Sequence, residues 1–240
     1  MKNYALIFAG GTGQRMNSNS LPKQFLVVHG KPIIIHTLLH FENCRAINGI
    51  AVVCYAPYID KLQEMIKSFG LKKVIGVVSG GDSGQQSIFN GLQCISEFAK
   101  EDDIVLIHDG VRPLIDGDLI KENIKCVKEC GNAITVSKAI ETVITMEGDD
   151  ISAIKDRSKC YYAKAPQSFY FKDIYGCHLK ANAENKKDFI DSATLMQYYG
   201  YTLHAIVGSE DNIKITTQKD FFMFKGLLDA REVEQIRVKL

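Results

Sequence analysis

No charge of one sign dominates this 240-residue sequence: 29 lysines and arginines stand against 28 aspartates and glutamates, a formal net charge of +1. A chain so balanced carries no field to hold a polyanion, so nucleic acid is not expected as a partner. No apolar run approaches the roughly 20 residues that cross a bilayer, so no membrane association is expected either. A signal peptide is also missing, because the first apolar segment is short and runs into glycines rather than a cleavage site; the expected location is the cytoplasm. There are no internal repeats, low-complexity tracts or Pro/Ser linkers. The seven cysteines are odd in number and scattered. Cys126 and Cys130 sit at i, i+4 on an expected helix, but no Cys or His pair with ligand spacing lies nearby. Buried thiols in a reducing compartment are therefore expected rather than disulfides or a metal site.

What is present is a sizeable core and a regular alternation. Hydrophobic residues make up 46% of the chain, ordinary for a globular protein. Short β-type runs at 3–9, 49–55, 73–78, 103–108 and 132–137 alternate with amphipathic runs at 33–43, 58–69, 84–99 and 117–130. That order predicts an α/β fold, a doubly wound, mostly parallel Rossmann-like sheet. Ile50-Ala51-Val52-Val53-Cys54 and Ile104-Val105-Leu106-Ile107 are continuously apolar, as strands covered on both faces should be. Over about 139–170 the pattern changes: Thr142-Val143-Ile144-Thr145-Met146 alternates and leads into a Glu147-Gly148-Asp149-Asp150 turn. This predicts a projecting β-arm rather than another βαβ unit. Helices near 171–182 and 189–199, a strand near 203–207 and a helix from about 217 should complete a single domain over 1–240.

Four segments carry candidate chemistry. The first strand ends in Ala9-Gly10-Gly11-Thr12-Gly13-Gln14-Arg15-Met16, followed by Pro22-Lys23-Gln24-Phe25. Glycines let backbone N–H groups approach an anion, and Arg15 and Lys23 add cations beside the turn. A packing role for the glycines and ordinary solvated charge for the cations remain the bland alternatives. The turn is neither a Walker loop nor a dinucleotide fingerprint. His108-Asp109-Gly110-Val111-Arg112-Pro113 closes a buried strand, where ligands of open α/β sheets bind. Asp109 there could hold Mg²⁺ or a sugar hydroxyl, or only stabilise the loop, with Arg112 bracing it. Gly80-Gly81-Asp82-Ser83-Gly84-Gln85-Gln86-Ser87 opens a helix with short side chains and unpaired N–H groups, suited to a base, a ribose or a phosphate, or to plain capping. Lys214, in Asp211-Asn212-Ile213-Lys214-Ile215-Thr216, is out of pattern for a strand unless it points into a site; a lysine on a surface edge is the bland alternative.

Taken in order with Ala165-Pro166-Gln167-Ser168-Phe169, these segments resemble, over nearly the whole chain, the cytidylyltransferases that act on sugar-alcohol phosphates. That family has two well-known branches: the methylerythritol-phosphate enzyme of isoprenoid synthesis and the ribitol-5-phosphate enzyme of teichoic acid and capsule synthesis. The resemblance implies that Ala9, Gly10, Gly11, Thr12 and Gly13 wrap the triphosphate of CTP. It makes Arg15, Lys23 and Lys214 the catalytic cations. Gly81, Asp82 and Ser87 would contact cytosine and ribose, and Asp109 would lie near the ribose and Mg²⁺. Thr142 and Arg157 would hold the polyol phosphate from the arm of the partner in a homodimer, with Asp191 bordering the same pocket.

Two departures point to the ribitol branch. Gly84 and Ala165 stand where the methylerythritol branch usually has Arg and Thr. The implied chemistry is in-line attack of the polyol phosphate on the α-phosphorus of CTP with release of pyrophosphate. A phosphate dianion is itself a competent nucleophile, so the lack of a Ser/His/Asp set agrees with it. A non-catalytic nucleotide binder should have lost one of the three cations, and an NAD-dependent oxidoreductase fails at the first turn.

Overall fold

Apolar runs and amphipathic stretches fold, in the computed structural model, into a seven-stranded sheet flanked by helices; the structure describes residues 1–11 and 21–237. In chain order the elements are β1 (Asn3–Ala9), β2 (Val27–Val28), β3 (Lys31–Pro32), α1 (Ile33–Asn43), β4 (Gly49–Cys54), α2 (Ile59–Ser68), β5 (Val74–Ser79), α3 (Gly84–Ser96), β6 (Ile104–Asp109), α4 (Gly117–Cys130) and β7 (Asn132–Lys138). There follow β8 (Ile144–Glu147), β9 (Asp150–Ile154), β10 (Tyr161–Tyr170), α5 (Phe171–Ala183), α6 (Ser192–Tyr198), β11 (Ala205–Val207) and α7 (Gln218–Arg237). The sheet order is β11-β7-β10-β6-β1-β4-β5. Neighbours pair in parallel except β10, which runs antiparallel to both β6 and β7.

Successive side chains of a strand point to opposite faces, so a doubly covered strand must be apolar at every position. In β1, Ala5 and Ile7 join one buried cluster with Ile34 and Leu38 of α1, Leu62 of α2 and Ile120 of α4. Tyr4 and Leu6 join the other, with Ile88 and Leu92 of α3, Ile174 of α5 and Leu195 of α6. Each fully buried large aliphatic contributes about 1.5–3 kcal/mol relative to exposure. A third cluster seats Phe224 of α7 against Ile33, Val111 and Ile215. The helix boundaries follow local chemistry: Asp116 caps α4 by accepting from Leu119 N at 2.7 Å, and Gly131 ends it with φ 91°.

Three expectations change. First, the stretch expected as arm over 139–170 divides. Residues 144–154 form the exposed hairpin β8–β9 around the 147–150 turn, while β10 enters the middle of the sheet, with Ala165–Phe169 buried. Pro166 and the polar Gln167 and Ser168 disguise it as a peripheral segment. It is accommodated by a register shift between Ala163 and Gln167 around the cis Ala165–Pro166 bond, and by Ser168 Oγ donating to Asn123 Oδ1 at 2.8 Å. Second, Lys214 does not lie in a strand; residues 208–217 are irregular, tied down by Ile215 N donating to Val111 O at 2.9 Å. Third, the cysteines are free but not uniformly buried: Cys44, Cys54 and Cys177 are buried, Cys130 is exposed and the others are intermediate.

Candidate active site

Parallel strands end on the same side of a sheet, and β1, β4, β5 and β6 bring Ala9, Cys54, Ser79 and Asp109 to one carboxyl edge. There the chain after β1 passes close to the chain after β5. A Cβ placed on Gly80 would lie 3.2 Å from Ser87 Oγ and 3.3 Å from Gly10 Cα, a tight fit, while one on Gly10 would lie 3.4 Å from Gly80 Cα and from Ser87 Oγ. Ser87 Oγ accepts from Gly81 N at 3.0 Å and donates to Ser83 O at 2.8 Å, while Ser83 Oγ caps α3 by accepting from Gln86 N at 3.1 Å. The Gly80–Ser87 segment is thus held in place while Gly81, Asp82 and Gly84 stay exposed. Gly11 has no such crowding.

Gln24 is buried, and its amide Nε2 donates to Ala9 O at 2.8 Å and to Gly11 O at 3.1 Å. It ties the short 3-10 turn Lys23–Phe25 to the glycine turn and sets Lys23 beside it. Thr12, Gly13 and Arg15, expected in the same turn, lie outside the described residues.

At the end of β6 a buried ionic cluster forms around Asp109. Its Oδ2 pairs with Arg112 Nε at 2.7 Å, and its Oδ1 with Lys214 Nζ at 2.6 Å. Burial alone would push the Asp109 carboxyl up, but the charges and hydrogen bonds of Lys214 and Arg112 outweigh it and hold it below the usual range. Arg112 Nη1 also donates to Asn212 O at 2.8 Å, and Asn212 Nδ2 to Ala165 O at 2.6 Å. Lys214 lies 5.8 Å from the Phe8 ring centroid. Nearby, Lys164 Nζ donates to Glu210 O at 3.0 Å; burial, then the Arg112 charge, lowers its affinity for a proton. His108 is fully buried, and desolvation lowers it from the ordinary 6.5 to about 3, so it is a neutral brace rather than a proton carrier.

This cluster opens on a cavity of about 350 Å³ between β6, β10 and the α3, α5 and α6 layer. Phe8, Asp109, Arg112, Lys164 and Lys214 line it, together with Gln85, His178, Asp191, Ser192 and Leu195. Asp191 is therefore at the cavity, as expected. It caps α6 through Thr194 N at 2.8 Å, and its Oδ2 accepts from Gln167 Nε2 at 2.8 Å. Thr142 and Arg157 are exposed on the arm and do not line this cavity; Arg157 Nη1 donates to Ile140 O at 3.1 Å.

Gln24, Asn212, Gln167, Lys164, His178 and Ser192 acquire importance only here. The first four occur in or beside the quoted segments, and burial of a polar side chain in that setting could have singled out Gln24 and Asn212. Nothing local marks His178 or Ser192.

The family described as "IspD: 2-C-methyl-D-erythritol 4-phosphate cytidylyltransferase" matches residues 4–229. A ribitol-5-phosphate cytidylyltransferase of Streptococcus agalactiae serotype III is 50% identical over 235 residues, covering 98% of each chain. One of Vibrio parahaemolyticus is 46% identical over 235 residues, covering 98% of this chain and 99% of that one. Among solved structures, the 4-diphosphocytidyl-2C-methyl-D-erythritol synthase of Anaerococcus prevotii is similar with a TM-score of 0.81 and 25% identity, covering 95% of this chain and 96% of the other.

Proposed function

Because the chain belongs to the IspD family of cytidylyltransferases, we propose that it transfers the cytidylyl group of CTP to D-ribitol 5-phosphate, giving CDP-ribitol and pyrophosphate. The observation that carries this reading is the Asp109–Arg112–Lys214 cluster opening, at the carboxyl edge of the sheet, on a cavity of about 350 Å³. Ribitol 5-phosphate is preferred over methylerythritol 4-phosphate on the 50% and 46% identities to ribitol-phosphate enzymes and on Ala165, which offers no hydroxyl to a phosphate.

The acceptor's phosphate oxygen attacks the α-phosphorus in line with the departing pyrophosphate, and no general base is needed. Catalysis is positioning and charge neutralisation. Lys214, Lys23 and Arg15 act as the cations on the reacting phosphates. Ala9, Gly10, Gly11, Thr12 and Gly13 supply backbone N–H groups to the triphosphate. Gly81, Asp82 and Ser87 meet cytosine and ribose; Ser87 Oγ, with one donor and one acceptor site already used, keeps a lone pair for a donor on the base.

Asp109 is the carboxylate that would approach Mg²⁺ held mainly by the substrate phosphates, the mode that ion favours; with Oδ2 paired to Arg112 and Oδ1 to Lys214, one of these pairs would have to give way to the ion. The chemistry such an ion would supply there is neutralisation of charge on the triphosphate. Thr142 and Arg157 of the partner subunit hold the polyol phosphate, and Asp191 borders it. The chain is a single cytoplasmic domain that dimerises through its arm, a reading supported by the exposed Ile144, Met146, Ile151 and Ile154 of β8–β9.

The decisive experiment is pyrophosphate release from CTP with each acceptor. Ribitol 5-phosphate is expected to be turned over with the higher kcat/KM. A clear preference for methylerythritol 4-phosphate assigns the chain to that second reading instead.

A further inference from the structure

Two glutamines that line the cavity are used up by the protein itself. Gln167 spends Nε2 on Asp191 Oδ2 and Oε1 on Ala193 N, the latter at 2.9 Å. Gln85 donates Nε2 to Lys186 O at 2.8 Å and accepts from Phe189 N at 3.3 Å. His178 and Ser192 differ. His178 is 1% exposed and neither ring nitrogen has a hydrogen-bond partner; Ser192 is 3% exposed and its Oγ has none. Both line the cavity.

Leaving a buried donor or acceptor unpaired is unfavourable, so two such side chains lining one cavity call for a ligand that pairs them. Their chemistry defines it. Burial lowers His178 from 6.5 to about 4, so at neutral pH it is an uncharged imidazole with one donor and one acceptor nitrogen. Ser192 offers one donor and two lone pairs. A phosphate or carboxylate, acceptor only, would leave the acceptor nitrogen unmatched. Hydroxyls both donate and accept. The acceptor's phosphate is already provided for, in the reading above, by Thr142 and Arg157 of the partner subunit, with the cations Lys214, Arg112 and Lys164 in the same cavity.

We propose that His178 and Ser192 bind hydroxyls on the acceptor's carbon chain, away from its phosphate, and thereby determine which length of alditol phosphate is accepted. The inference rests on the acceptor reading given above and names residues that select within it. His178 emerges from α5 and Ser192 from the first turn of α6, so the relative placement of these two helices sets the depth of the subsite.

The test compares His178→Leu and Ser192→Ala with the parent enzyme, measuring KM for CTP, ribitol 5-phosphate and erythritol 4-phosphate, which is one hydroxylated carbon shorter. Leucine removes the unpaired nitrogens, and alanine removes only one oxygen, so at least one variant should keep the parent's cooperative melting. KM for ribitol 5-phosphate should rise about tenfold in each, roughly the value of one hydrogen bond. KM for CTP should stay within about twofold, and the preference for the longer acceptor should shrink. An unchanged preference in folded variants, or an equal loss on both acceptors, overturns the proposal while leaving the cytidylyltransferase reading intact. A parent enzyme that turns over neither alditol phosphate overturns both.

Discussion

Lys214 shows how much a single residue can and cannot reveal before the chain is folded. Its interruption of an apolar run is visible locally, yet its salt bridge depends on Asp109 at the end of β6. Held at 2.6 Å from that carboxylate and 39% exposed, its amino group lines the cavity. Replacing it by alanine should lower kcat by about two orders of magnitude, the usual cost of one charge-stabilising contact. The fold should survive because Arg112 still pairs with Asp109. Steady-state pyrophosphate release and thermal melting check both statements; near-normal kcat would remove Lys214 from the catalytic cations. Gln24 is the opposite case. It looks like a neutral neighbour of Lys23, but its two hydrogen bonds hold the first glycine turn.

Among the elements, the helices and parallel strands were the most legible, because apolar periodicity records their burial directly. The expected helices at 33–43 and 117–130 are α1 and α4 residue for residue. The pair β2–β3, at two residues each, is too short to have a period. β10 was misread because proline and polar residues argue against a central strand. Its polar side chains are satisfied by distant partners, Ser168 by Asn123 and Gln167 by Asp191 and Ala193. The hairpin β8–β9 was legible from its turn, and its solvent-facing apolar residues give the element-scale prediction. Replacing 144–154 by a short Gly/Ser link should leave the melting temperature nearly unchanged, since the hairpin pairs only with itself. On the proposed arm-mediated dimer, the same change should give a monomer in sedimentation and abolish turnover. A shortened protein that remains a dimer would place the interface elsewhere.

For the whole molecule, buried neutral histidines govern the acid limb of stability. Burial lowers His108 to about 3 and His178 to about 4, and also lowers His36 and His40. Below pH 6.5 the unfolded chain binds protons on these rings while the folded chain resists them, so stability falls as pH falls. Each ring contributes a slope of about 1.4 kcal/mol per pH unit between 6.5 and its own folded value. Asp109, whose folded value is depressed, adds its loss only lower, as pH falls from the ordinary 3.8 through the folded value. Urea unfolding from pH 7 to 4 should show a falling unfolding free energy, with a shallower slope in His178→Leu. A pH-independent free energy over that range would show that the rings protonate freely in the folded protein.

The sequence by itself determined the double winding of the sheet, the helix and hairpin positions and the order of the glycine, His-Asp-Gly and Asn-Ile-Lys segments. Those are local properties: a period of two or 3.6 and a turn's backbone demands are written in neighbouring residues. Only the tertiary structure decided that β10 runs between β6 and β7, that Lys214 and Arg112 share one carboxylate, and that His178 and Ser192 face the same cavity. Such meetings depend on strand order and on how helices seat on the sheet, which bring together residues far apart in the chain and leave no periodic trace in it.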